Sequence, residues 1–152
     1  MQAPRRKILQ HEVPLWVDPQ KEIYFITINC ARGRGNQLTV RSTAASLFET
    51  VEHRQRIGLW WPHLFLLMPD HVHALISFPP VGKPLQSIVS KWKEWTAKQL
   101  CIVWQRDFFE HRLRGEEGRR EKAEYILNNP VRKGLVSQAD EWPYVYFPDL
   151  SR

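Results

Sequence analysis

The sequence predicts an α+β fold, an antiparallel sheet with helices on one face in the order βαββαβ, followed by one more helix toward the C-terminus. Three observations predict it. Short runs of alternating apolar, β-branched and aromatic residues are interleaved with stretches of helical periodicity, and two of the runs meet at Pro69-Asp70, turn chemistry suited to a hairpin. At 152 residues, with 43% hydrophobic and 25% charged residues, the chain has the make-up of a single domain spanning 1–152.

Taken in order, residues 1–20 carry Pro14, Pro19 and a basic triplet and read as an arm. The segment "EIYFITINC", 22–30, is the first strand, and a basic loop, "ARGRGNQL", follows it. From 42 to 57, Ala45, Leu47, Phe48 and Val51 keep a helical rhythm opened by a Ser/Thr cap signal. "LWWPHLFLLM" (59–68) and "HVHALISF" (71–78) form the hairpin strands. Leu85, Ile88, Val89, Trp92, Trp95 and Ala97 recur at helical spacing over 85–100. "CIVWQRDFFEHRLR", 101–114, supplies a fourth strand. The charged segment 115–130 is the last helix, which must end near Asn129 because the residue before Pro130 is pushed out of the α region. Residues 140–152 read as an aromatic tail laid on the body. Such an order is the ferredoxin-like plan with an added helix.

Charge narrows the function classes. Lys and Arg number 22 against 16 Asp and Glu, for a net charge of +6, and the pI is near 9.6. A polyanionic partner is favoured, with nucleic acid first. No apolar run reaches membrane-spanning length and the N-terminus lacks a signal-peptide core, so a cytoplasmic protein without a membrane partner is expected. Cys30 and Cys101 show neither a C-x-x-C spacing nor a disulfide framework.

The chemistry centres on "HVHALISF". In a strand, His71 and His73 project to one face while Val72, Ala74 and Ile76 take the other, so the two imidazoles could share one metal ion. By itself the pair reads equally as two partly solvated histidines on an open sheet face. In the last helix, Tyr125 and Asn129 are four apart and share a face, with Ala123, Ile126 and Leu127 free to meet the sheet. Tyr125 by itself reads as an ordinary helix residue, and Asn129 as a C-cap.

Together these residues resemble the single-tyrosine HUH transposases, and among them the REP-associated tyrosine transposases. HUH denotes histidine, bulky hydrophobe, histidine, here His71, Val72 and His73. The blocks "YFITIN", "LMPDHVHALI", "WQRDFFEHRLR" and "YILNNPVRKGLV" follow the family's order across roughly residues 22–147. The resemblance implies that Tyr125 is the nucleophile, that His71, His73 and Asn129 are metal ligands, and that single-stranded DNA at short hairpins is cleaved and rejoined through a 5′-phosphotyrosine. It also implies a homodimer. The chain departs from the family at Asp70, where Asn is common; the carboxylate is expected to sit in a turn without a role, or else to strengthen metal binding while repelling phosphate.

Physical chemistry agrees with those roles. A divalent ion that neutralises phosphoryl oxygens and a departing alkoxide is worth several kcal/mol. A phenol ordinarily titrates near 10 and needs a cationic field or a base to become nucleophilic. Two imidazoles and an amide suit Mn²⁺ at least as well as Mg²⁺, which prefers oxygen. A His-x-His oxygenase would need a β-barrel, and the helices leave too few strands for one.

For DNA contacts the basic candidates are Arg5, Arg6 and Lys7 in the arm, Arg32 and Arg34 after the first strand, Lys91 and Lys93 beside Trp92, and Arg112 and Arg114 after His111. Cations interleaved with rings suit single-stranded DNA. Trp92 and Trp95 fit equally as a core-facing stripe with solvated lysines, and His111 as an ordinary strand histidine.

Overall fold

The computed structural model describes residues 22–148. Five antiparallel strands form one sheet in the order β4-β1-β3-β2-β5: β1 is Tyr24–Asn29, β2 Trp61–Met68, β3 His71–Ser77, β4 Phe109–Arg112 and β5 Val145–Tyr146. The helices are α1 (Arg41–Arg56), α2 (Leu85–Leu100), α3 (Gly115–Leu127) and a single turn, α4 (Asn129–Arg132). The first six elements keep the predicted βαββαβ order, with the hairpin turning at Pro69-Asp70.

Period-two alternation divides the sheet into two faces. Ile26, Ile28, Val72, Ala74, Ile76, Phe65 and Leu67 pack on one side against Leu47 and Val51 of α1 and Ile88, Val89 and Trp92 of α2. Phe25, Leu64, Leu66, Met68 and Leu75 face the other side and meet Ala123, Ile126 and Leu127 of α3. The last helix therefore lies on the face that carries His71 and His73. Register follows from the same pattern: Thr27 stands opposite His73 and Asn29 opposite His71 in the β1–β3 pair.

Four expectations are corrected. The fourth strand covers only Phe109–Arg112, not 101–114. Cys101 takes a left-handed conformation (φ 60°) that stops α2. Beyond it, Trp104 makes one isolated antiparallel bridge to Cys30 and turns its indole N–H to Thr96 Oγ1 at 3.0 Å, and the ladder resumes only at Phe109. At the start of α1, Val40 is the N-cap and makes no side-chain cap bond, so Ser42 lies inside the first turn. The aromatic tail contains an element: β5 pairs with the free edge of β2, where Leu67 N–H donates to Tyr144 O at 2.9 Å and the Trp142 indole donates to Leu67 O at 2.9 Å. Lastly, Trp92 is core but Trp95 is 42% exposed, so the apolar stripe of α2 does not include both.

The predicted helix end is found, with an addition. α3 stops at Leu127, Asn128 adopts φ −91°, ψ 0°, and α4 restarts at once with Pro130 in its first turn, where a missing N–H costs nothing. Arg5, Arg6 and Lys7 of the expected arm lie outside the described residues. Among the described residues no helix is long and apolar enough to cross a membrane.

Candidate active site

Both histidine rings stand side by side on the α3 face of the sheet, with centroids 4.7 Å apart. Each is held through its Nδ1. His71 Nδ1 lies 2.8 Å from Asp70 Oδ1, and His73 Nδ1 lies 3.0 Å from Thr27 Oγ1, its cross-strand neighbour. An Nδ1–H that donates to a carboxylate or hydroxyl leaves the Nε2 lone pair of each ring free to ligate. Phe25 stacks on His73 at 5.4 Å and fixes the ring plane. Asp70 thus orients a site histidine, contrary to the expectation of an idle turn residue.

Asn128 separates α3 from α4, which begins at Asn129. Asn128 caps α3 through its own side chain, Nδ2 donating to Glu124 O at 3.0 Å, so Asn129 is not the cap. Asn129 is 3% exposed, and its Nδ2 sits 3.4 Å from His71 Nε2, at the long end of hydrogen bonding. Its Oδ1 accepts from Arg132 Nη2 at 3.3 Å. Tyr125, one turn earlier, places its ring 6.1 Å from that of His73 and is 46% exposed, which keeps the phenol reachable by a large substrate. The Arg132 guanidinium lies 4.1 Å from the centre of the Tyr125 ring and also donates to Tyr125 O at 2.9 Å. The Lys122 ammonium is 5.0 Å from the same ring and 4.6 Å from that of Phe25.

Burial pushes the His73 imidazole down to about 3, helped by positive charge at His71, Arg132, Lys122 and Lys133. The ring is therefore neutral throughout the physiological range, the form a metal requires. Among the described residues no three His, Cys, Asp or Glu side chains converge as a metal cluster; beside the two imidazoles this face carries the amide of Asn129. The set suits a divalent cation once the amide turns: His73 Nε2, His71 Nε2, which now faces Asn129 Nδ2 at 3.4 Å, and the Asn129 oxygen, which a half-turn about χ2, a two-fold torsion, exchanges with that Nδ2.

The structure therefore brings His71, His73, Tyr125 and Asn129 together within one chain. It distributes the predicted DNA-contact residues unevenly. Arg32 and Arg34 are exposed and line a cavity that also includes His71. Arg114 is exposed at the start of α3. Arg112 stands opposite Tyr24, on the α1–α2 side of the sheet, and pairs with Glu22 at 2.8 Å. Lys91 is exposed on α2, also away from the histidines. Lys93 is a correction: it is 8% exposed, and its ammonium donates to the carbonyls of Gln105 and Arg106, each at 2.9 Å, so it is turned into the body. Sequence reasoning missed Thr27, Lys122 and Arg132. The two cations were available, because Lys122, Tyr125, Asn129 and Arg132 recur at spacings of three and four, the signature of one helical face.

No protein-family model matches the chain. A REP-associated tyrosine transposase from Escherichia coli K12 is 29% identical over 133 residues, covering 82% of this chain and 75% of that protein. A solved structure of a REP-associated tyrosine transposase bound to a REP hairpin superimposes with a TM-score of 0.70 at 26% identity, covering 86% of this chain and 79% of that one. A candidate transposase from Deinococcus radiodurans R1, 18% identical with a TM-score of 0.51, covers 74% of this chain and 92% of its own and shares the fold.

Proposed function

We propose that this chain, a relative of the REP-associated tyrosine transposases, cuts and rejoins single-stranded DNA at hairpins through Tyr125, with His71, His73 and Asn129 holding Mg²⁺ or Mn²⁺. One observation carries the reading: Tyr125 stands 6.1 Å, ring to ring, from a histidine pair whose Nδ1 atoms are both engaged. The similarity to a protein whose structure holds a REP hairpin supports DNA as substrate, as does the net charge of +6.

In this mechanism the Tyr125 Oη attacks the scissile phosphorus. A phosphorus–oxygen bond forms to the tyrosine as the bond to the 3′-oxygen breaks; the phenolic proton passes to water and the departing oxygen gains one. The 5′-phosphotyrosine conserves the energy of the broken bond, so attack by a 3′-hydroxyl reverses the step and joins strands without ATP. When bound, the divalent cation neutralises the phosphoryl oxygens and the departing 3′-oxygen. Lys122 and Arg132, beside the Tyr125 ring, supply positive charge for the phosphate, the Asp70 carboxylate keeps His71 in the ligating tautomer, and Thr27 holds the His73 ring through its Nδ1.

The test uses hairpin DNA with single-stranded flanks and Mg²⁺ or Mn²⁺, resolved on a denaturing gel. The wild-type protein gives a protein–DNA adduct and Tyr125→Phe gives none. An adduct of equal yield from the variant contradicts the reading. A second reading, hairpin binding without cutting, is favoured by the present orientation of Asn129, whose oxygen is held by Arg132; it predicts retained binding with no adduct from either protein.

A further inference from the structure

We infer that the cavity beside His71 seats the nucleotide immediately 5′ of the scissile phosphate, the one whose 3′-hydroxyl departs. This rests on the strand-transfer reading for its polarity. The site residues form a row: the Tyr125 ring neighbours His73, His73 neighbours His71, and His71 lines the cavity while Tyr125 and His73 do not. Attack and departure at phosphorus lie in line, on opposite sides. A phosphate at the histidine pair, approached from the Tyr125 side, directs its leaving oxygen toward the cavity.

The cavity has the size and chemistry for a nucleotide. Its volume is about 690 Å³, within the range of small-ligand sites. Arg32, Arg34, Gln105 and Lys133 line it. A guanidinium can pair with the next phosphate or stack on the base, and the Gln105 amide offers a donor and an acceptor to a base edge.

The walls are set before any ligand arrives. Gln105 N–H donates to Asn29 O at 2.8 Å, Ala31 N–H to Val103 O at 2.8 Å, and Cys30 N–H to Asp70 O at 2.9 Å, tying the end of β1 to the 103–105 segment and to the hairpin turn. Lys93, which the strand-transfer chemistry leaves unused, clamps the carbonyls of Gln105 and Arg106 from behind. The Arg32–Gly35 loop is exposed, and Gly33 (φ 79°) and Gly35 (φ 67°) hold it in conformations that residues with a Cβ avoid. That loop supplies the two arginines that line the cavity.

Photocrosslinking tests the assignment. The cut point is read from the length of the 3′-hydroxyl fragment released by wild-type protein, and 4-thiothymidine is then placed one nucleotide 5′ or one nucleotide 3′ of it. Irradiation with Tyr125→Phe, which holds the strand uncut, should crosslink the 5′ base within residues 29–35 or 103–105, and the 3′ base elsewhere. Adding Arg34→Ala or Gln105→Ala should lower the 5′ crosslink on the order of tenfold, the worth of one base contact. A 5′ base that crosslinks to α3, or yields that neither substitution changes, overturns the assignment while leaving the Tyr125 adduct intact. If wild type releases no fragment, the strand-transfer reading fails; thiobases spread through the hairpin strand that crosslink within 29–35 then retain the nucleotide site, and their absence there overturns it.

Discussion

At the scale of single residues, the histidine pair is defined less by its rings than by what touches their Nδ1 atoms. Asp70 accepts from His71 at 2.8 Å and Thr27 partners His73 at 3.0 Å, one a carboxylate and the other a hydroxyl. A carboxylate behind a ligating imidazole raises its basicity, and such partners are worth about tenfold or more in metal affinity. Asp70→Asn should therefore weaken Mn²⁺ binding to the DNA-free protein by about tenfold, measured by titration with detection of free Mn²⁺ by electron paramagnetic resonance. An unchanged dissociation constant would mean that the Asp70 contact does no more than close the turn. The common orientation of His71 and His73 was legible from period two alone, and the shared face of Tyr125 and Asn129 from their spacing of four. The Asp70 contact was not, because whether a turn carboxylate folds back onto the adjacent ring depends on its own rotamer, which spacing does not encode.

At the scale of elements, two devices position the site, and the sequence showed one of them. Pro130 announced the end of α3. It did not announce that the chain would restart as α4 and bury Asn129, because the stop and the restart use the same residues. The other device is the irregular segment between α2 and β4. Its apolar composition suggested a strand, but the left-handed turn at Cys101 leaves only a single antiparallel bridge, Trp104 to Cys30, before the chain departs from the ladder, and the Lys93 ammonium takes the carbonyls of Gln105 and Arg106 in charge-assisted bonds. Burial lowers the Lys93 ammonium from its ordinary range, with Asp107 opposing. Lys93→Met keeps the buried stem and deletes the donors. It should cost about 2 kcal/mol, the scale of hydrogen bonds to a charged group, read as a lower denaturation midpoint in urea at an unchanged slope. A midpoint equal to wild type would show that the clamp adds nothing to the fold.

At the scale of the whole molecule, the sheet divides its work between faces. α1 and α2 cover one side around Trp92, Phe65 and Leu47, and α3 covers the other around Leu66, Leu75 and Ile126, where all four chemical groups gather. The strands and the added helix were legible, but the face that helix covers was not, because β2 and β3 are buried on both sides and read as continuous apolar runs; the fifth strand was hidden because Val145–Tyr146 is too short to carry a period. Since Tyr125 meets His73 within one chain, a mixture of Tyr125→Phe with His71→Ala should form no more adduct than either variant alone. Restored adduct in the mixture would place the tyrosine of one subunit at the histidines of another. The most direct measurement is mass spectrometry of the adduct after protease and nuclease digestion. A nucleotide phosphate carried on the peptide containing Tyr125 is the predicted result; the same mass carried by Tyr24, Tyr144 or a serine, with Tyr125 unmodified, would contradict the account.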